Sequence, residues 1–535
     1  MNEEKDLLRK LYHKIPKNIW VCFVAGIVFG VMTHLYMLTN KLPNWDDMNN
    51  LYGFGSGVGY GRWFLQYLGP FMGYWSVPAL HGMLAIVLWS IAGCFIVLAL
   101  KLESMTSSVL VALMMLTFPS VACTMTFMFT VNCYAFGILL VCFGAYCYCN
   151  FKHGYIVASI AFILSLAIYQ SFICLGAAII VMALLLDLLK GNAVKSTLLN
   201  ALKALITLIV TMIIYMISTR IFNHGVFSED RGVDTMGQLP LTKIPRLIAR
   251  SYKRISEYFV LKPYSFISPA LYKLNVLVCI LIIVLILAIA IYRKLWKDKL
   301  RIVLIIGFAV MVPLALASIY ILAPETQDAS MLMLHQYLFI YVMLIALGEC
   351  GVCIINDKAS EKDNSMKRKT LFIKGISMIA TIGILLVGYS QYILTNEAYF
   401  RTSVAFGRVE QFYNRVLSSI ERQPGFVYGD DMALLGTFYE TQIPVASFEI
   451  DDEKFVDMSG IAMENGLITE GIRAKFLRTY MGIQLTEFNA EQIEEIKEKE
   501  EYQQMPLYPL DGAIQKIDGV WVVKLADDEK DAVIE

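Results

Sequence analysis

Two carboxylates stand side by side in Asn44-Trp45-Asp46-Asp47-Met48-Asn49, just after a long apolar run. The same stretch continues through Gly53-Phe54-Gly55-Ser56-Gly57 to Gly59-Tyr60-Gly61-Arg62-Trp63-Phe64. A carboxylate at an apolar boundary is a better proton acceptor than one in open water, which suits a general base. The second acid of such a pair can orient the first, bind a hydroxyl, or help hold a divalent ion. Arg62 can grip a phosphate with two parallel hydrogen bonds, and the glycines allow tight turns and close backbone approach. Trp45, Tyr52, Trp63, Tyr67, Tyr74 and Trp75 suit a membrane interface and equally suit stacking on the faces of sugars. A solvated loop with interfacial aromatics explains these rings, but it leaves the acid pair and Arg62 without a task.

Further along, Glu229-Asp230-Arg231 and Asp234 precede Lys243, Arg246, Arg250, Lys253 and Arg254. From Leu241 to Val260 these bases interleave with Ile244, Leu247, Ile248, Tyr252, Ile255 and Phe259, the pattern of an amphipathic helix lying on a membrane surface. Anchoring to headgroups is the plain reading, and Arg246 and Arg250 can also serve a phosphate. Gln170 interrupts an apolar run at Tyr169-Gln170-Ser171, where its amide can bind a hydroxyl or close a turn. His335 and Gln336 open another apolar run, and polar groups in such places are functional or interfacial. Asp187 beside Lys190 reads as structural, and Cys142, Cys147 and Cys149 as small packing residues. The chain has no Walker loop, dinucleotide fingerprint, metalloprotease helix or basic-aromatic nucleic-acid surface.

These residues are carried by an unusually apolar chain. Of its 535 residues 57% are hydrophobic and only 17% charged, so lipid must be the solvent for most of it. A crossing needs about 20 apolar residues, and on that criterion about eleven runs qualify. They are Asn18–Leu38, Val77–Leu100, Ser107–Cys123, Val131–Cys149, Tyr155–Tyr169, Phe172–Leu189, Leu205–Ile221, Leu274–Tyr292, Leu300–Leu322, Met331–Ile355 and Leu371–Leu394. Tyr155 to Leu189 would make a helix of about 50 Å, too long for one crossing, so it is split at Tyr169-Gln170-Ser171.

Lys5, Arg9, Lys10, Lys14 and Lys17 precede the first run and hold that end in the cytoplasm. Alternation then puts every short basic cluster inside: Lys101, Lys152, Lys190 with Lys195 and Lys203, Arg293 to Lys299, and Lys367-Arg368-Lys369. The first run is too long for a cleaved signal peptide. Residues 39–76, 222–273 and 395–535 fall outside the membrane. The last stretch has roughly twice as many acidic as basic residues. It has a helical pattern from Glu397 to Ile420, a charged helix from Asn489 to Glu501, and a hairpin signal at Asp518-Gly519 between Ala513–Ile517 and Val520–Leu525. The fold class expected is therefore mainly α and polytopic: a transmembrane domain over 1–394 and an extracytoplasmic α/β domain over 395–535.

The order of first helix, Asn44-Trp45-Asp46-Asp47 and Gly61-Arg62-Trp63 resembles the bacterial glucosyl transferase II family, which includes serotype-converting O-antigen glucosyltransferases. The Tyr169-Gln170-Ser171-Phe172 break and Phe412-Tyr413-Asn414-Arg415 strengthen the resemblance, which covers the chain to about Ser419 and weakens beyond. It implies a GT-C-type plasma-membrane enzyme. The donor would be a polyprenyl-phosphate hexose, made inside by a synthase and turned outward by a flippase. The acceptor would be a cell-surface glycan, bound or positioned by the tail. On that reading Asp46 or Asp47 is the base, with Asp47 the first choice. Arg62, Arg246 and Arg250 meet the donor phosphate, and Asn44, Trp45, Trp63, Gln170 and His335 bind substrate. No cofactor beyond the lipid-linked sugar is required, and a divalent metal is compatible with the acid pair. The rival readings are a transporter of lipid-linked sugar, which needs many polar mid-span groups, and a scaffold that presents the tail.

Overall fold

The computed structural model describes residues 15–55, 57–224, 241–261, 264–324, 329–357, 364–436 and 470–526. Lys5, Arg9, Lys10, Lys14, Ser56, Glu229, Asp230, Arg231 and Asp234 lie outside the described residues. Those described divide into two compact units: residues 15–41 with 52–397, and residues 42–51 with 398–436 and 470–526.

The larger unit is a helical bundle. It begins with α1 (Lys17–Thr39); α2 (Trp45–Asn49) belongs to the smaller unit. The bundle continues with α3 (Leu65–Met72), α4 (Pro78–Ala99), α5 (Met105–Thr117), α6 (Pro119–Met125), α7 (Val131–Asn150), α8 (Gly154–Leu166), α9 (Ile173–Leu189) and α10 (Val194–Phe222). Then come α11 (Ile244–Ser256), α12 (Pro269–Tyr292), α13 (Lys299–Leu316), α14 (Ile319–Leu322), α15 (Phe339–Asp357) and the start of α16 (Asn364–Glu421).

Among the described residues nine helices are long and apolar enough to cross a membrane, and α5 with α6, bent by 45°, makes a tenth. The bend follows from Pro119: the residue before a proline is pushed out of the helical region, and Phe118 has extended backbone (φ −61°, ψ 137°). The run expected over Tyr155–Tyr169 is only the 13-residue α8, about 20 Å long. Small residues let the first helices close up. A Cβ on Gly26 would stand 2.6 Å from Ser90 Oγ, and one on Gly30 2.5 Å from an Ile86 methyl, so α1 lies tight on α4. Among the nine unbroken spans α9 and α15 are the most buried, and α10 and α13 lie at the edge.

Several polar groups are buried in this bundle, and they pair with one another: Tyr341 donates to Asn275 Oδ1 at 2.7 Å and Thr117 to Gln391 Oε1 at 3.2 Å. On α11, Leu247, Ser251 and Ile255 are buried one turn apart while Lys253 is exposed, the amphipathic helix its spacing predicts. Arg254 and Lys253 bind Glu257 at 3.1 and 3.6 Å in the turn that follows.

In the smaller unit, α16 continues to Glu421 and leads to β1 (Met432–Leu435), α17 (Glu470–Phe476), α18 (Ala490–Lys497), α19 (Glu500–Gln504), β2 (Ile514–Ile517) and β3 (Val520–Lys524). The sheet order is β1-β3-β2, with β1 parallel and β2 antiparallel to β3. Asp518 and Gly519 turn with positive φ (50° and 86°), the tight hairpin their dipeptide predicts. Asn489 caps α18 in a reciprocal capping box with Gln492. The charged stretch expected as one helix is two, α18 and α19, and their Ile496 and Tyr502 pack with Ala433, Leu435, Met505, Ile517 and Val522.

Candidate functional site

Asn44 begins one group, in the smaller unit. Its side chain accepts from Asp47 N at 2.7 Å, so the short turn α2 is fixed at its first residue. Asp47 is buried (1% exposed) while Asp46 and Trp45 are half-buried, and Asn50 Nδ2 donates to Asp46 O at 2.8 Å. The acids sit in the first turn of α2, where helix amides favour negative charge. What covers them is α17: Lys475 Nζ donates to Asn49 Oδ1 at 2.6 Å, and the turn after α17 carries Tyr480.

Tyr480 stacks on Phe476 at 5.2 Å, and both rings pack on Phe406 of α16. Desolvation pushes the Tyr480 phenol well above its ordinary range, and the negative charges of Asp47 and Glu410 push it the same way. It therefore stays protonated, a hydrogen-bond donor beside the carboxylates. Behind α17 lies a cavity of about 370 Å³ lined by Arg473, Lys475, Arg478, Leu435 and Thr486. Arg473 is itself buried and donates to Gly436 O at 3.1 Å.

The second group, in the larger unit, is built on the break between α8 and α9. Gln170 Nε2 donates to Tyr60 O at 2.5 Å and to the Tyr215 hydroxyl at 3.1 Å, and that hydroxyl donates to Gly61 O at 3.1 Å. Phe64 N donates to Ala167 O at 3.0 Å, so the chain is tied to the break at Tyr60 and again at Phe64. Arg62 lies with its guanidinium carbon 4.6 Å from the centre of the Tyr169 ring, and Nη1 donates to the Tyr134 hydroxyl at 3.2 Å. Trp63 is buried and stacks on Phe222 at 4.3 Å. Residues 60–64 thus cover the irregular backbone of the break, where α8 stops short.

The other expected residues have surroundings of their own. Arg246 is exposed on α11, and Arg250 Nη1 donates to Pro324 O at 2.9 Å. His335 is buried, with Nδ1 2.7 Å from Ser120 Oγ and its ring 6.5 Å from Trp89, a place in the core and not at an interface. Asp187 accepts from Asn192 Nδ2 at 2.8 Å. Among the described residues no three His, Cys, Asp or Glu side chains are grouped to hold a metal ion.

Sequence spacing missed Tyr134, Tyr215, Lys475 and Tyr480. The first two are aromatics in apolar runs, whose hydroxyls cannot be told from core rings by pattern. The last two did leave a trace: in a markedly acidic tail, Arg473, Lys475 and Arg478 put three bases within six residues.

Comparison with curated proteins and with solved structures gives no match. Comparison with protein families matches residues 35–347 to the family described as Glucosyl transferase GtrII. That match covers Asn44 to Asp47, Arg62, the α8–α9 break and His335, and more than half of the 535 residues. This multi-helix membrane protein thus belongs to the glucosyl transferase GtrII family and is a glycosyltransferase.

Proposed function

We propose that the protein moves a hexose, glucose by its family, from a polyprenyl-phosphate donor to a glycan at the outer face of the plasma membrane, with inversion at the anomeric carbon. The observation that carries this reading is the acid pair: a buried Asp47 fixed by the Asn44 cap, beside a half-buried Asp46. A single displacement from a glycosyl phosphate requires one carboxylate as base and a cation for the departing phosphate. The acceptor hydroxyl oxygen forms a bond to the anomeric carbon while its proton passes to a carboxylate. The bond from that carbon to the phosphate oxygen breaks, and the electron pair leaves with the polyprenyl phosphate. Asp47 is the first choice as base because its backbone is fixed by the Asn44 cap and it is the more buried of the two.

Arg62 would stabilise charge on the departing phosphate, with Arg246 and Arg250 of α11 as further cations at the lipid surface. Trp45 and Trp63 would pack on sugar faces, and Gln170 would act by holding segment 57–64. Arg473, Lys475 and Arg478 would position the acceptor. Any divalent ion would have to be held by Asp46 and Asp47 with substrate oxygens.

The test uses the purified full-length protein with a synthetic polyprenyl-phosphate glucose, following release of polyprenyl phosphate. Asp47→Asn should lower the rate about 10²- to 10⁴-fold, the usual effect of a general base. Asp46→Asn should lower it less, and both variants should elute and melt like the parent. Parental turnover in both variants would refute the mechanism.

A further inference from the structure

At one end of the larger unit, α4, α7 and α9 finish and α8 and α10 begin around a cavity of about 360 Å³. Its lining includes four lysines, Lys101, Lys152, Lys190 and Lys203, and one carboxylate, Asp187. Among the described residues none of the four ammoniums makes an ion pair or a side-chain hydrogen bond, whereas Asp187 already accepts from Asn192 Nδ2 at 2.8 Å. Three helix C-termini and two helix N-termini open here, and their partial charges nearly offset one another, leaving the cavity between about two and three charges positive. Concave, basic pockets between helices at a membrane boundary suit phosphate headgroups.

Lys101 sits just past α4 with φ 55°, a left-handed position at which glycine is preferred. A lysine at a helix end also suits the last carbonyls, and Lys294 past α12 has the same backbone (φ 57°), so what points to a ligand is the gathering of four ammoniums on one cavity. The surroundings say what kind of ligand fits. The inner wall is apolar at Ile180 and Leu184. Beside the pocket, α8 and α10 pack together and expose Ile156, Val157 and Ile160 on one helix and Leu198, Leu202 and Leu205 on the other. An anionic head beside a long apolar flank describes an amphiphile.

We propose that this pocket binds the phosphate headgroup of an anionic membrane lipid, with the lipid's tail lying along the exposed faces of α8 and α10. The proposal is independent of the acid pair and of the transfer reaction. Its ligand chemistry, a lipid phosphate, has two sources: a bulk phospholipid diester or a polyprenyl phosphate monoester.

Full-length protein in neutral detergent is loaded separately with phosphatidylglycerol, phosphatidylcholine and polyprenyl phosphate, and retained lipid is read by native mass spectrometry. Phosphatidylglycerol retained over phosphatidylcholine supports the site with a bulk lipid, and polyprenyl phosphate retained in its place supports it with the isoprenoid. Each lysine removed should weaken retention about fivefold. Lys101→Gly is the key variant, because it removes the ammonium while relieving the backbone. Lys152→Gln and Lys203→Gln alter exposed positions, and Lys195→Gln, outside the cavity, should change nothing. Retention unaffected by the cavity variants, phosphatidylcholine held as well as phosphatidylglycerol, or displacement by millimolar inorganic phosphate would each overturn the proposal.

Discussion

Gly61 shows how narrowly the residues of the second group are fitted. It has φ 77°, and a Cβ there would stand 2.7 Å from the Tyr215 hydroxyl and 3.1 Å from Gln170 Nε2, the two groups that hold segment 57–64. Gly61→Ala therefore strains the backbone and separates the segment from the α8–α9 break at about 1–3 kcal/mol. Initial rates of sugar transfer should fall at least about tenfold while the chain still folds, since a small misplacement of positioning groups is costly; a parental rate would show that segment 57–64 has no part in the reaction. At this scale the sequence was only partly readable. Asp46, Asp47 and Arg62 stood out because charge beside an apolar run demands an explanation. The Gln170 amide left two readings open, and the structure adds a third: it ties two distant pieces of chain. Lys475 meets Asn49 across 426 residues, a contact that no local pattern encodes.

Elements were legible where one physical rule dominates. Apolar length marked the spans, and Asp518-Gly519 marked the hairpin. The end of the last span was not marked, because charges begin after Leu394 while helical periodicity carries on, and α16 runs unbroken to Glu421. The three strands are clasped by one side chain that spacing did not reveal. Asp430 Oδ2 accepts from Trp521 Nε1 at 2.9 Å, from Lys516 Nζ at 3.1 Å and from Val427 N at 3.1 Å. These bonds, the Trp521 one foremost, hold its carboxyl below the usual value of 3.8. A depressed carboxyl stabilises the fold above its unfolded-state value, and that contribution is lost as pH falls through the lower folded value. The module around Trp521 should therefore loosen as pH drops below about 4, and Asp430→Asn should remove that part of the acid response. Tryptophan fluorescence against pH measures it, and identical acid profiles for parent and variant would exclude the clasp.

At the scale of the whole molecule, the orientation expected rests on lysines and arginines alternating with apolar runs. With the exposed thiol Cys353 changed to serine, Tyr428→Cys in the smaller unit should react with an impermeant maleimide on intact cells. Trp296→Cys, between α12 and α13, should react only after permeabilisation, and the reverse pattern would sink the outer-face reading. Composition told the solvent, and alternation told the expected sidedness; the grouping of residues 42–51 with the distant tail emerged only in three dimensions. The brevity of α8 bears on the lipid as well as on the protein. Its apolar wall rises about 20 Å against the roughly 30 Å of hydrocarbon around it. Acyl chains facing it must thin or tilt to follow that low wall. A bilayer that follows this wall would be thinnest beside the break between α8 and α9.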